Sequence, residues 1–411
     1  MAGRGTDELP IIVAGGGIGG LAAALGLARL GWSVRVLERA PRFGEIGAGI
    51  QLGPNGFRAF DALGIGAAAR AMAVFVEQIR LMDALTAEEI MHIDLGASFR
   101  ARFGNPYAVV HRGDLYKVLH DACREQPAIT LAAGHEVAGY DQDARHVIVR
   151  LASGEPVRGA ALIGADGLWS AVRAQLVADG PPRVSGHTTY RSVIPADRMA
   201  PDLRWNTATL WAGPGCHLVH YPLSGGKLFN LVITSDNGAA GRPVARSEVM
   251  RGFAHVHERA RKIIDLGSDW RYWVLCDREP VANWVDGRVA LLGDAAHPML
   301  QYMAQGACMA LEDAVCLAHM VATAADLPDA LEAYRARRFL RTTRVQLQSR
   351  AIGEHVYHPS GAHAALRNAI MRARTQGEWH EAVAWLYGGD GLDASTFGST
   401  TSFAPEYMEL D

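Results

Sequence analysis

Cysteine is scarce: Cys123, Cys216, Cys276, Cys308 and Cys316 are the only five in 411 residues, an odd number without C-x-x-C spacing. This excludes a disulfide framework and a cysteine-ligated zinc site, and it fits free thiols in a reducing compartment. Excess charge of one sign is also missing. With 40 basic against 43 acidic residues, no global field draws in nucleic acid or an acidic membrane surface. No apolar run has the ~20 residues of a transmembrane span, and the first nine residues hold no apolar stretch behind a basic start. A cytoplasmic location is expected. The sixteen histidines are scattered, without an H-x-x-x-H pair beside a carboxylate on a credible helix, so no metal is expected. An apolar share of 49% marks a folded chain, and 411 residues exceed the ~100–200 of a single ordinary domain. Two domains and a small-molecule partner are the expectation.

Glycine is abundant, and its placement carries information. The stretch "PIIVAGGGIGGLAAALGLARLGWSVRVLERA" (10–40) reads as strand, glycine turn, Ala/Leu helix and second strand, a βαβ start. Gly15, Gly17 and Gly20 fit G-x-G-x-x-G. The first glycine makes the tight turn, the second admits a pyrophosphate to the backbone, and the third lets helix and strand pack closely. The helix N-terminus offers free N–H groups and a positive dipole end to phosphates. Glu38, followed by Arg39, stands where an acid accepts hydrogen bonds from a ribose. The fingerprint fits NAD and FAD equally.

Three further stretches resemble one another in design. In "VVHRGDLYKVLHDACREQP" (109–127) Arg112 sits where a strand meets a helix, with Asp114 as the expected N-cap. "AALIGADGLWSAVR" (160–173) runs from a strand into Asp166-Gly167, and "GRVALLGDAAHP" (287–298) from a strand into Gly293-Asp294. Acids at the C-terminal ends of parallel strands lie where open α/β sheets bind ligands.

Taken in order, G-x-G-x-x-G with Glu38, H-R-x-D-L around Arg112, G-A-D-G around Asp166 and G-D-A-A-H-P around Asp294 resemble the class A flavoprotein aromatic hydroxylases over roughly residues 10–345. The resemblance implies an α/β fold like that of p-hydroxybenzoate hydroxylase. Its parts would be a discontinuous Rossmann-like FAD-binding domain (1–75, 101–183, 276–345), a β-sheet substrate domain (76–100, 184–275) and a C-terminal helical segment and tail (346–411) open to a dimer contact. It implies one FAD, with Glu38 on the adenosine ribose, Arg112 and Asp294 near the ribityl-pyrophosphate, and Asp166 in a segment serving FAD and the pyridine nucleotide. Gly306 and Ala307 would turn backbone N–H groups on the flavin ring. NADH, with NADPH as the alternative, would dock without a Rossmann domain of its own and reduce FAD. O2 would add at the flavin C4a, and a ring carbon para to a phenolic hydroxyl would take its distal oxygen.

The runs "TATLWAG", "CHLVHYPL", "KLFNLVIT" and "YWVLCD" read as strands of an antiparallel or mixed sheet joined by residues 76–100. Alternation puts His217, Val219 and Tyr221 on one face and Leu218 and His220 on the other. With Gln301, His217 and Tyr221 resemble the pocket of the 3-hydroxybenzoate 6-hydroxylase branch, which makes gentisate. Salicylate and 6-hydroxynicotinate hydroxylases share much of that framework, and an FAD-dependent reductase without O2 chemistry is the alternative of another class. His217 is the candidate base, Tyr221 and Gln301 the candidate substrate holders, and Arg191 in "TTYRSV" is left open as a carboxylate partner. The arginines from 335 to 350 are expected on a solvated helix face.

Overall fold

A computed structural model describes residues 9–44, 47–238 and 246–389. The expected loose tail beyond 389 and the charged N-terminal residues lie outside them.

The apolar β-branched run Ile11–Ala14 is fully buried at the centre of a six-stranded sheet. In spatial order the strands are Val285–Asp286, Val289–Leu291, Ala161–Gly164, Ile11–Ala14, Val34–Glu38 and Ile129–Ala133. All pair in parallel except the outermost, Val285–Asp286. The helix Ile18–Ala28 packs against the helix Gly306–Thr323 over this sheet. Gly306–Thr323 is apolar enough and long enough to cross a membrane by composition, yet most of it is buried in the core.

A second, seven-stranded sheet runs Arg271–Asp277, Arg183–Pro195, Leu228–Asp236, Cys216–Leu223, Thr207–Gly213, Gln78–Asp83, Glu89–Asp94. It is mixed: Thr207–Gly213 pairs in parallel with Gln78–Asp83 and every other pair is antiparallel. One face looks toward the nucleotide-type sheet. The other is covered by a cluster that includes Trp211, Leu218, Phe253, Ile263 and Ile264, partly supplied by the helix Glu258–Leu266.

Two local expectations need correction. The helix after Arg112 begins at Arg112 itself, with His111 as N-cap, so Asp114 lies in the first turn and serves the helix dipole instead of capping it. The arginine run on Leu327–Ala351 is not all solvated. Arg338 and Arg341 are buried and pair with Glu312 and Asp313 of the neighbouring helix at 2.6–2.7 Å. Burial works against the charge on both acids, but their pKa values end below the usual range, Glu312 through Arg341 and Arg338 and Asp313 through His297 and then Arg338. Asp313 also accepts from the Gly293 N–H and contacts His297 Nε2 at 2.5 Å, fixing the Gly-Asp loop from behind.

Candidate active site

Two cavities meet where the parallel strands end. The larger, about 460 Å3, lies between the sheets, and the smaller, about 300 Å3, follows the first two strands. Both touch Gly17, Arg112, Ala165 and Gly167.

The smaller cavity is backbone-built. Gly15 has φ +103°, and a Cβ there would stand 2.3 Å from the Ala165 carbonyl oxygen; one at Gly20 would stand 2.0 Å from the Gly15 oxygen. A Cβ at Gly17, in contrast, would meet nothing within 4 Å, although Gly17 is the N-cap of the helix Ile18–Ala28. Open space at a helix start with no side-chain cap is the cradle a phosphate needs. Glu38 accepts from the Gly16 N–H and the Ala40 N–H, each at 2.8 Å, so both oxygens are held in place and keep lone pairs for a ribose. Arg39, exposed, and His135 border the same space.

Asp166 borders this cavity, but its carboxylate accepts from Ser170 Oγ at 2.5 Å, Ala171 N–H at 2.8 Å and Val172 N–H at 3.3 Å, starting the next helix. Burial raises its pKa. Arg173 of that helix, fully buried, pairs with Asp179 and donates to the Ala295 and Ala296 carbonyls, tying the Asp166-Gly167 loop to the Gly293-Asp294 loop.

In the larger cavity Asp294 lies deep in the fold yet opens to the cavity space, and burial raises its pKa. Gly306 and Ala307 begin the helix Gly306–Thr323 on the same wall, again without a side-chain cap. The nearest atom to a Cβ at Gly306 would be Asp294 Oδ1, 3.8 Å away. Two uncapped helix starts facing one elongated space, with the Glu38 carboxylate at its far end, fit an adenine dinucleotide with a second ring system.

The opposite wall is made of side chains. His217, Val219 and Tyr221 line it from one face of their strand, while His220 on the other face packs against Trp205 and Trp211. His217 is 2% exposed, and its pKa is driven well below the usual imidazole value by burial, then by His358 and His187. Its Nδ1 lies 2.7 Å from His358 Nε2. Tyr221 is buried with a raised pKa.

Gln301 lines the cavity, but its amide is engaged by the sheet behind it. Nε2 donates to Thr189 Oγ1 at 2.9 Å and Thr234 Oγ1 at 3.2 Å, and Oε1 accepts from Arg191 at 2.7 Å. Arg191 therefore lies on the cavity with its guanidinium oriented by Gln301. Burial lowers its pKa.

Sequence reading missed the contribution of the C-terminal segment. Tyr357 and Tyr387 line the cavity, and His358 backs His217. The π-helical turn Ile352–Tyr357 swings Tyr357 and His358 inward, and Gly353 allows this because a Cβ there would lie 2.4 Å from the Tyr302 ring; Tyr387 arrives separately, at the end of the helix Ala384–Tyr387. The cluster "EHVYH" before Pro359 was the available signal. Tyr107, whose hydroxyl donates to Gln51 Oε1 at 2.7 Å, was missed as well.

The family described as an FAD binding domain matches residues 8–349. The 3-hydroxybenzoate 6-hydroxylase 1 of Aquipseudomonas alcaligenes is 52% identical over 93% of this chain and 98% of that protein. The 3-hydroxybenzoate 6-hydroxylase of Polaromonas naphthalenivorans is 47% identical over 93% and 96%. Among solved structures, Klebsiella pneumoniae HpxO complexed with FAD and uric acid superposes with TM-score 0.84 at 26% identity, over 94% of this chain and 98% of that one. A salicylate hydroxylase substrate complex does so with TM-score 0.78 at 26% identity, over 94% and 97%. The chain belongs to this FAD-binding family of flavoprotein aromatic hydroxylases, and FAD is its cofactor.

Proposed function

We infer that this member of the FAD-binding family is an NAD(P)H- and O2-consuming monooxygenase that converts 3-hydroxybenzoate to 2,5-dihydroxybenzoate. The observation that carries the reading is His217: a buried imidazole on the cavity wall, its pKa depressed by burial, one nitrogen held by His358, on the same strand face as Tyr221. The names of the relatives at 47–52% identity point the same way.

When bound, FAD supplies an activated oxygen atom at the expense of NAD(P)H. Gly15, Gly17 and Gly20 would admit its pyrophosphate, Glu38 and Arg39 would take the adenosine end, Arg112, Asp166 and Asp294 would flank the middle, and Gly306 and Ala307 would offer N–H groups to the ring. The remaining chemistry belongs to the substrate wall. A phenol with pKa ~10 is a poor carbon nucleophile until its proton begins to leave, and His217 Nε2 accepts that proton. Electron density then rises at the carbon para to the oxygen. In 3-hydroxybenzoate that carbon is C6. Tyr221 donates to the phenolic oxygen, and Arg191, braced by Gln301, faces the carboxylate, a charge-assisted contact. Ile79, Leu210, Val219 and Val232 exclude water.

The test is oxygen uptake and NAD(P)H oxidation in air across 3-hydroxybenzoate, salicylate, 4-hydroxybenzoate and 6-hydroxynicotinate, with products identified. Stoichiometric 2,5-dihydroxybenzoate from 3-hydroxybenzoate is expected. Faster coupled turnover of another ring would move the substrate assignment, and oxidation of NAD(P)H with no oxygenated product from any ring would end it.

A further inference from the structure

Arg191 carries a buried positive charge that no carboxylate answers among the described residues. Burial is the main influence on it, and the ionisable groups that act on it are Tyr221 and Arg112, a phenol and a second cation. One terminal nitrogen donates to a neutral group, Gln301 Oε1, at 2.7 Å, and the Nε–H is buried with no acceptor. Buried charges are ordinarily paired and buried donors ordinarily satisfied, so the missing partner is an anionic ligand. We propose that Trp273, on the outermost strand of the seven-stranded sheet, is a positioning residue that holds Arg191 ready for that anion and so sets the preference for a carboxylated ring. This rests on the reading of Arg191 as the carboxylate partner.

The strand register brings the two side chains together. Between Arg183–Pro195 and Arg271–Asp277, Thr189 stands opposite Trp273 and Arg191 opposite Arg271. Trp273 is therefore the diagonal neighbour of Arg191 on the same face of the sheet, within reach for an aromatic and a long side chain. The Arg191 Cζ lies 5.4 Å from the indole centroid, a cation–π distance. Gln301 holds the guanidinium from one direction and the indole from another, and neither contact uses the Nε–H. No strand pairs with Arg271–Asp277 on its far side, so the indole, 41% exposed, shields Arg191 at the edge where water reaches the sheet.

Two physical effects follow from this placement. A free arginine side chain would lose rotamer freedom on meeting a carboxylate, whereas one already held in place pays that cost during folding. Keeping water from the guanidinium also strengthens its attraction for the incoming charge. A lone exposed aromatic residue needs no explanation, but this one lies on a buried cation that lacks an anion. A tryptophan that only closed the sheet edge would treat charged and neutral ligands alike.

The experiment uses the full-length, FAD-loaded enzyme. Titrations followed by flavin absorbance compare 3-hydroxybenzoate with 3-hydroxybenzamide, which keeps the ring and the phenol but lacks the charge. The ratio of the two dissociation constants is the readout. Trp273→Leu should weaken binding of the acid about three- to tenfold, with the amide and kcat at saturating acid each within about twofold of native. Trp273→Phe, which keeps an aromatic face, should restore most of the ratio; a ratio no better than that of Trp273→Leu would count against the stacked ring and overturn the proposal. Val184, 55% exposed and opposite Cys276 on the same two strands, supplies the control. Equal weakening of acid and amide in Trp273→Leu, or the same acid-selective loss in Val184→Ala, would make the edge structural only and overturn the proposal as well. An unchanged ratio in Trp273→Leu, with the acid preference abolished in Arg191→Gln, would overturn the role of Trp273 and leave Arg191 in place. An unchanged ratio in Arg191→Gln would strike the carboxylate reading itself, and the proposal would fall with it. If Trp273→Leu does not hold FAD, Trp273→Gln decides by the same ratio.

Discussion

The two walls of the site are built from different material. The cofactor wall is backbone: glycines without Cβ atoms and two helix starts without side-chain caps, each encoded within a short segment, Gly15–Gly20 and Gly293–Ala307. The substrate wall is side chain, gathered from strands, a 3-10 turn and the C-terminal helices, with Arg191 meeting Gln301 across 110 residues and His217 meeting His358 across 141. A backbone wall tolerates little change and serves any member that binds the same nucleotide. A side-chain wall can be rewritten one residue at a time, so under the proposed reading it is where selectivity is expected.

The sharpest way to break this contrast is on the cofactor side. Gly17→Val should leave an apoprotein that folds, because a Cβ at this position meets no protein atom within 4 Å, yet flavin content and activity should fall by more than about tenfold, read from the flavin-to-protein absorbance ratio. Gly20→Val should instead destabilise the protein itself by about 1–3 kcal/mol in denaturant titrations, since its Cβ collides with the Gly15 carbonyl. Identical behaviour of the two variants would collapse the distinction.

On the substrate wall, His217→Ala should keep FAD and lower kcat by ~10²–10⁴, with NAD(P)H diverted to hydrogen peroxide. The base must be unprotonated, and burial lowers its pKa, so the acid limb of kcat/KM in the native enzyme should lie below pH ~6.5. A limb above that value would contradict the assignment. Arg191→Gln should act more on binding than on chemistry, raising KM for a carboxylated substrate by roughly 10- to 100-fold, the worth of a charge-assisted hydrogen bond. A substrate amide in place of the carboxylate should be far less sensitive.

The smallest effect separates the two faces of one strand. Both ring nitrogens of His220 are buried without partners, and burial, then Arg80, push its pKa down to about 3. Unfolded, it titrates near ~6.5, so between these values the unfolded chain binds more protons and stability falls as pH drops, by roughly 1.4 kcal/mol per pH unit. His220→Phe should flatten the stability profile between pH 7 and 5 by about that slope and leave turnover intact. A loss of activity would mean that the outer face also shapes the site.

Legibility followed the same division. The strand-turn-helix grammar around Gly15, Asp166 and Asp294 could be read locally, as could the alternation that turns His217 and Tyr221 one way and His220 the other. Asp114 as a cap and a fully solvated arginine run were misread. Helix starts shift by a residue or two with φ/ψ preferences, and Arg338 and Arg341 are buried only because Glu312 and Asp313 face them from another helix. Gln301 could be picked out as an unusual polar residue, but its amide serves Thr189, Thr234 and Arg191. Tyr357 and His358 were out of reach because a π-helical turn, with no distinct sequence period, directs that segment inward, and Tyr387 because it reaches the cavity from the separate short helix Ala384–Tyr387.

By itself the sequence determined the nucleotide-binding architecture, because conformational freedom at glycine, helix starts and strand alternation are properties of neighbours in the chain. Tertiary structure alone decided which side chains share the substrate cavity, which charges are buried in pairs, and that a histidine near the C-terminus stands behind the candidate base. Those depend on distances between residues that chain order does not constrain.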